Sequence, residues 1–237
     1  MVTVQLYVTC LVDGFAPQVG EAAVALLERA GCRVEFPMEQ TCCGQPAFNA
    51  GFTDQARRMA AHNVKVLAAT EGPIVVPSGS CADMLTHHVP HLLAGDADAA
   101  AVAGRVRELS VFLVDGLSVE DTGPSGCERC RVAYHPSCHG MRNLGIADQP
   151  RRLLDAHMEL VKLSDSEQCC GFGGLFSVEL PEVSAAMLNA KLDAIERAEV
   201  DVVTATDVGC LLHMAGGAHR RGMTTEFRHW AELLAGQ

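Results

Sequence analysis

The cysteines of this chain form two series with the same internal spacing. Four positions in the first series recur in the second after a shift of 127 to 129 residues. Each series contains one Cys-Cys-Gly sequence, and its last cysteine follows a run rich in β-branched residues. The matched cysteines are Cys10 with Cys138, Cys42 with Cys169, Cys43 with Cys170, and Cys81 with Cys210. A repeat with a period of about half the chain indicates an internal duplication.

Strand and helix patterns alternate in both halves. The predicted strands cover residues 3–9, 33–36, 73–77, 131–134, 159–163 and 201–204. The predicted helices cover residues 17–30, 53–69, 81–93, 102–117, 150–156, 182–198 and 211–219. Short strands that alternate with helices imply parallel sheets with right-handed crossovers. We therefore predict an α/β protein of two similar, pseudo-symmetric halves, each a small parallel sheet flanked by helices.

The two halves are expected at residues 1–118 and 130–237. A linker is expected at 119–129, because this stretch is polar and contains turn-forming residues. Cysteines follow predicted strand ends in both halves, and ligands of open α/β sheets collect beyond the carboxyl ends of the strands. Each half is therefore expected to gather four thiols at one sheet edge, and the glycine after each cysteine pair permits a tight turn.

Composition restricts the environment and the partners. The formal net charge is −11, which repels nucleic-acid phosphates, so no nucleic-acid partner is expected. No apolar run reaches the length of a membrane span, and the first basic residue is Arg29, so neither a membrane span nor a secretory signal is expected. A cytoplasmic location follows as an expectation. In that reducing compartment, 11 cysteines point to metal or redox chemistry before structural disulfides.

Four converging thiols have three interpretations: iron–sulfur ligation, structural zinc, or dithiol redox chemistry. Adjacent cysteines favour the first, because zinc ligands more often occur as C-x₂₋₄-C. Cys127 and Cys130 lie outside both series, and either bind a metal, cycle as a dithiol, or have no role. Cys32 also lies outside both series and is expected to be a small core residue.

Polar residues near the cysteines are candidates for supporting roles. The possible hydrogen-bond donors, structural groups or metal ligands are Ser78, His135, His139, Asp207 and His213. His87 and His91 are instead expected on a solvent-exposed helix face.

Four phrases of the sequence are similar to a known family. They are the segments 42–49 (CCGQPAFN), 135–139 (HPSCH), 169–174 (CCGFGG) and 210–214 (CLLHM). The chain resembles the lactate utilization protein A family over essentially its whole length. More widely, it resembles the CCG cysteine-rich proteins, which include the cysteine-rich subunits of heterodisulfide reductase and of anaerobic glycerol-3-phosphate dehydrogenase, and the glycolate oxidase iron–sulfur subunit.

The resemblance implies iron–sulfur clusters, of [4Fe–4S] or noncubane type, on the eight paired cysteines. It also implies an electron-transfer subunit that works with other iron–sulfur subunits of a cytoplasmic complex oxidising L-lactate to pyruvate. No catalytic residue is assigned, and no dinucleotide or nucleotide motif is visible. The alternatives are a glycolate oxidase-type subunit, a heterodisulfide reductase-like thiol–disulfide subunit, or a scaffold with zinc or no metal.

One departure from the wider CCG pattern concerns the last cysteine of each half. That pattern ends in C-x-x-C, but Ser78 and Asp207 stand at the first cysteine position here. Four cysteines per half are the ligand set of an ordinary [4Fe–4S] cluster, and Ser78 and Asp207 are also candidates to supply an oxygen ligand or to leave an open iron position.

Overall fold

The computed structural model describes residues 1–123, 125–127, 130–146 and 148–236. Their contacts divide into two units, Met1–Val119 and a second unit that begins at Glu120. The domain boundaries and the linker at 119–129 remain predictions, and residues 124, 128 and 129 of that linker lie outside the described residues.

The first unit is built on a parallel four-stranded sheet with the order β2-β1-β3-β4. The register places Val2 opposite Cys32 and Ile74 opposite Val106. Apolar, β-branched residues dominate the two central strands, as expected where helices cover both faces of a parallel sheet. The strands are β1 Val2–Leu6, β2 Cys32–Glu35, β3 Ile74–Val76 and β4 Val106–Glu108.

Helices connect these strands and supply the remaining core. The second helix begins at Pro17, whose fixed φ suits a first helical turn, and ends before Gly31, which has φ +79°. π-helical turns at Met84–His88 and Phe112–Gly116 follow two of the shorter helices. The helices are α1 Cys10–Phe15, α2 Pro17–Arg29, α3 Gln45–Asn49, α4 Thr53–Ala68, α5 Gly79–Asp83, α6 Val89–Leu92, α7 Ala97–Arg105 and α8 Leu109–Val111.

The second unit repeats this plan with the strand order β6-β5-β7-β8. Its central strand pairs Val132 with Leu160 on one side and with Val202 on the other. The strands are β5 Arg131–His135, β6 Glu159–Leu160, β7 Val202–Ala205 and β8 Glu226–His229. The helices are α9 Cys138–Leu144, α10 Gln149–Asp155, α11 Phe176–Glu179, α12 Pro181–Ala198, α13 Val208–Arg221 and α14 Trp230–Ala235.

The predicted fold class is confirmed, since both units are parallel sheets flanked by helices in the same order. The helix predicted over 102–117 was wrong, because α7 ends at Arg105 and β4 follows. Val106 and Glu108 are buried while Arg107 is exposed, which is the alternation of a strand. A strand of three residues is too short to be recognised in the sequence between two helical patterns. The prediction also missed β8, whose sequence Glu-Phe-Arg-His is polar and is held by pairing with β7.

A membrane span was not expected, and none of the helices in the described residues combines the length and apolarity needed to cross a bilayer.

Candidate metal centres

Both sheets change direction between their two central strands. From β1 the chain first builds β2 on one side and then returns to build β3 on the other, and β5, β6 and β7 follow the same course. Open α/β sheets bind ligands at such points, outside the carboxyl ends of the strands. Cys10 and Cys81 follow the two central strands of the first sheet, and Cys138 and Cys210 follow those of the second. The topology thus brings cysteines of each unit to one edge of its sheet.

In the first unit the four thiols lie in two close pairs. The Sγ atoms of Cys10 and Cys42 are 3.4 Å apart, and those of Cys43 and Cys81 are also 3.4 Å apart. Cys43 is buried, whereas Cys10 is exposed, so the four sulfurs run from the core to the surface.

Hydrogen bonds among these thiols favour one thiolate. Bonds from Cys10 and Cys43 lower the pKa of Cys42 to about 3. The pKa values of Cys10 and Cys43 are raised, first by these thiol hydrogen bonds and then by burial. Since thiolates are the form that binds metals, a cation can replace the protons that the sulfurs share.

The Cys42-Cys43 loop is held by two buried side chains. Asn63 on α4 accepts a hydrogen bond from the Thr41 backbone N–H at 2.9 Å and donates to the Cys42 carbonyl at 2.9 Å. The Tyr7 hydroxyl, at the end of β1, donates to the Thr41 carbonyl. Burial, followed by the nearby thiolates, raises the pKa of Tyr7, which keeps this donor protonated. The Cys42-Cys43 loop is therefore held in place by the uncharged side chains of Asn63 and Tyr7.

Thr9, directly before Cys10, has a strained backbone. Its φ is +76°, which is unusual for any residue with a side chain and more so for a β-branched one. Such a conformation costs about 1–3 kcal/mol and persists only where the surrounding structure enforces it. Strain of this kind concentrates at functional sites, and here it sets the start of α1 and the position of the Cys10 thiol.

The second unit presents the matching set of thiols. Hydrogen bonds from Cys138 and Cys170 lower the pKa of Cys169 to about 2, and the Gly171 backbone N–H donates to its Sγ at 3.4 Å. The pKa values of Cys138 and Cys170 are raised by hydrogen bonds to neighbouring thiols and by burial. Cys170 is buried and Cys210 is partly buried. As in the first unit, one thiolate is stabilised by its neighbours.

His135 belongs to this second group. It is fully buried at the end of β5, and one of its ring nitrogens lies within 4.8 Å of the sulfurs of both Cys170 and Cys210. Burial, followed by the charge of Lys191, lowers the pKa of His135 to about 4. The imidazole is therefore neutral near pH 7.

Comparison with known proteins identifies the family. The CCG cysteine-rich domain matches the chain twice, at residues 4–86 and 132–215. Lactate utilization protein A of Geobacillus kaustophilus (strain HTA426) is 46% identical over 237 residues, which cover 98% of each chain. This chain belongs to the lactate utilization protein A family. Lactate utilization protein A of Anoxybacillus flavithermus (strain DSM 21510 / WK1) is 43% identical over 237 residues, which again cover 98% of each chain. Among solved structures, the alignment with an aspartate racemase homologue from Pyrococcus horikoshii OT3 covers 99% of this chain and 96% of that chain, at 11% identity and with a TM-score of 0.36.

The other polar candidates in this member of the lactate utilization protein A family take different places. Ser78 is buried and caps α5 by accepting a hydrogen bond from the Cys81 N–H at 3.2 Å. Asp207 is buried at the equivalent position before α13. His139 Nδ1 is 3.9 Å from the Cys138 sulfur. His213 Nε2 is 3.4 Å from the Ser184 hydroxyl oxygen.

Lys191 is a site residue that sequence reasoning missed. It is fully buried on α12, and its Nζ donates to the backbone carbonyls of Asp165 and Ser166 at 2.9 and 3.1 Å. Burial lowers the pKa of Lys191, while the nearby thiolates of Cys170 and Cys169 oppose that shift. The signal in the sequence is its position, because it falls on the same helix face as the buried residues Ser184, Leu188, Leu192 and Ile195.

The histidines after Cys81 are not only surface residues. His87 and His91 are exposed as expected, yet His87 Nδ1 lies 2.7 Å from an oxygen of the fully buried Asp83. His88 Nε2 lies 3.6 Å from the other oxygen of Asp83. Two of these imidazoles therefore contact a buried carboxylate two residues after Cys81 rather than pointing wholly to solvent.

The remaining cysteines lie apart from the two groups. Cys127 and Cys130 form a disulfide, which removes them as thiol ligands in this state. Cys32 is buried at the start of β2, in agreement with a core role.

The donor sets suit a metal centre of the type that thiolates hold. Four thiols meet in each unit with one already favoured as thiolate, and four thiolates are the ligand set of common iron–sulfur clusters. Gly171 has φ +93°, and a Cβ there would lie 2.6 Å from the Ser184 carbonyl oxygen. The turn beside Cys170 therefore leaves no room for a side chain between it and the Ser184 backbone. The donor chemistry of the eight cysteines, four in each unit, fits two iron–sulfur clusters.

Proposed function

We propose that this chain is an iron–sulfur electron-transfer subunit that takes part in oxidising L-lactate to pyruvate. The first cluster would be held by Cys10, Cys42, Cys43 and Cys81, and the second by Cys138, Cys169, Cys170 and Cys210. The observation that carries the proposal is the convergence of four thiols at the direction change of each sheet. An iron–sulfur cluster supplies one-electron redox chemistry when bound, and the chain's own residues set its position and exposure.

Lactate as the primary donor is supported by the names of the full-length relatives. Oxidation of lactate to pyruvate releases two electrons and two protons. We assign the chemistry on lactate to a partner subunit and the passage of electrons to this chain. Other iron–sulfur subunits, in the cytoplasm, are the partners that this division of labour requires.

A zinc scaffold is the second candidate, because one distance favours it. The sulfurs of a tetrahedral zinc site lie about 3.8 Å apart, given Zn–S bonds of about 2.3 Å. The observed separations of 3.4 Å are close to that value. A chain with zinc in both sites would assemble redox subunits without carrying electrons.

Electron paramagnetic resonance on anaerobically purified protein separates the two candidates. We expect a signal on reduction with dithionite that disappears on reoxidation without loss of iron. Cys43→Ser and Cys170→Ser should each remove the signal of one site, whereas Cys32→Ala, a buried cysteine outside both groups, should leave both. If the protein contains zinc and gives no EPR signal in either the reduced or the oxidised state, the electron-transfer proposal is refuted and the zinc scaffold is supported.

A further inference from the structure

We infer that His135 is a nitrogen ligand of the second metal centre, and that the two centres of this chain are therefore chemically different. The first would have sulfur ligands only, and the second a mixed sulfur and imidazole set. This inference rests on the proposed function, because it assigns a further ligand to one of the two proposed clusters.

The position of His135 supports direct ligation. One ring nitrogen and the sulfurs of Cys170 and Cys210 all lie within 4.8 Å of one another. Among the residues that the structure describes, no other three histidine, cysteine or carboxylate side chains have their ligand atoms within 4.8 Å of one another. A metal atom bonded to both sulfurs is thus within reach of the imidazole.

The buried Nδ1 atom of His135 needs a partner that the described residues do not supply. Its Nδ1 is inaccessible to solvent and has no hydrogen-bond partner among the described residues. A buried polar atom without a partner costs free energy, because the hydrogen bonds that it makes with water in the unfolded chain are not replaced. A metal bond or a bond to a cluster atom would satisfy this requirement, since imidazole is a common ligand of iron and zinc.

The first unit shows that the position is not a general requirement of the fold. Tyr7 lies three residues before Cys10, as His135 lies three residues before Cys138. The two residues also match in the sheets, because each is adjacent to the strand that leads to the last cysteine. Tyr7 directs its hydroxyl to the Thr41 carbonyl and is fully satisfied there. Only the second unit therefore offers a nitrogen donor at this position.

The two units also differ in the residue that braces the loop of each cysteine pair. Lys191 is a buried amine of the second unit that donates to the Asp165 and Ser166 carbonyls, whereas the residue that braces the first loop is the amide Asn63. An imidazole added to four thiolates changes the coordination of a cluster without changing its net charge, whereas a protonated amine near the cluster would raise its reduction potential. Both differences make the second centre chemically distinct from the first.

Pulsed EPR on protein labelled with ¹⁵N-histidine tests the assignment. Full-length protein is reconstituted anaerobically with iron and sulfide and measured in reduced and oxidised states. The set comprises the wild type, Cys43→Ser with only the second site complete, His135→Asn, and the control His139→Asn. We expect a ¹⁵N coupling of the size given by a directly bonded nitrogen in the wild type, in Cys43→Ser and in His139→Asn. It should be lost in His135→Asn while iron remains bound.

Two results would overturn the inference and leave the proposed function intact. One is a loaded second site without nitrogen coupling in the wild type, and the other is a coupling that persists in His135→Asn. If His135→Asn does not fold, His139→Asn and His213→Asn decide by elimination, because loss of the coupling in either assigns it elsewhere. Absence of iron and sulfide from every variant is a different outcome, and it refutes the proposed function together with the inference.

Discussion

Alanine at the two glycines after the cysteine pairs should have unequal effects, although the two sequences are repeats. Gly44 and Gly171 have φ of +88° and +93°, so alanine is strained at both by about 1–2 kcal/mol. At Gly44 the new Cβ would meet the Met59 Cβ at 3.4 Å, an ordinary contact. At Gly171 it would lie 2.6 Å from the Ser184 carbonyl oxygen, which adds about 1–3 kcal/mol of overpacking. We expect totals of about 1–2 kcal/mol at Gly44 and about 2–5 kcal/mol at Gly171.

Urea unfolding of the metal-free protein measures this difference. The one tryptophan of the chain, Trp230, is buried in the second unit, so its fluorescence follows that unit. Gly171→Ala should lower the midpoint of this transition by about 1–2.5 M, for a urea m-value of about 2 kcal/mol/M. Far-UV circular dichroism follows the smaller loss in Gly44→Ala. Equal destabilisation by the two variants would refute the assigned role of the Ser184 carbonyl contact.

Three further predictions use the same denaturation measurements on metal-free protein. Because burial holds the pKa of His135 near 4, below its unfolded value of about 6.5, its contribution to stability is complete above pH 6.5 and is lost as the pH falls toward 4. The loss amounts to about 3 kcal/mol, and His135→Asn should flatten this part of the pH profile; an unchanged profile would contradict the burial argument. At the strained position, Thr9→Gly should be more stable than Thr9→Ala by about 1–2 kcal/mol, the reverse of the usual order, and the usual order would show that Thr9 is unstrained. Asn63→Leu removes the bonds to Thr41 and Cys42 and should cost about 2–4 kcal/mol while lowering iron uptake by the first site only; loss from both sites would point to general unfolding.

The duplicated cysteine spacing predicted the repeat, and the alternation of strand and helix patterns predicted that both halves are α/β. The edge strands were harder to predict. β4 has three residues between helical segments, and β8 is polar, so both depend on pairing with a neighbour that local sequence does not reveal.

The candidate sites divide in a similar way between local and tertiary information. The eight cysteines are marked by their spacing, and His135 was noted through its proximity to Cys138 in sequence. Its burial against Cys170 and Cys210 depends on the sheet, which brings β5 and β7 together. Lys191 is distant in sequence from these cysteines. Its position on the buried face of α12 can be read from the sequence, but the carbonyl groups that its Nζ contacts follow only from the packing of that helix. The role of Ser78 as a helix cap likewise depends on the turn that the structure shows.

Iron, acid-labile sulfide and zinc per chain, measured on anaerobically purified protein, test the central claim most directly. Two four-iron clusters predict about eight irons and about eight sulfides per wild-type chain, with about half of each in Cys43→Ser and in Cys170→Ser. Cys32→Ala should match the wild type. About two zinc ions per chain with neither iron nor sulfide, before and after anaerobic reconstitution, would contradict the proposal that these two sites hold iron–sulfur clusters.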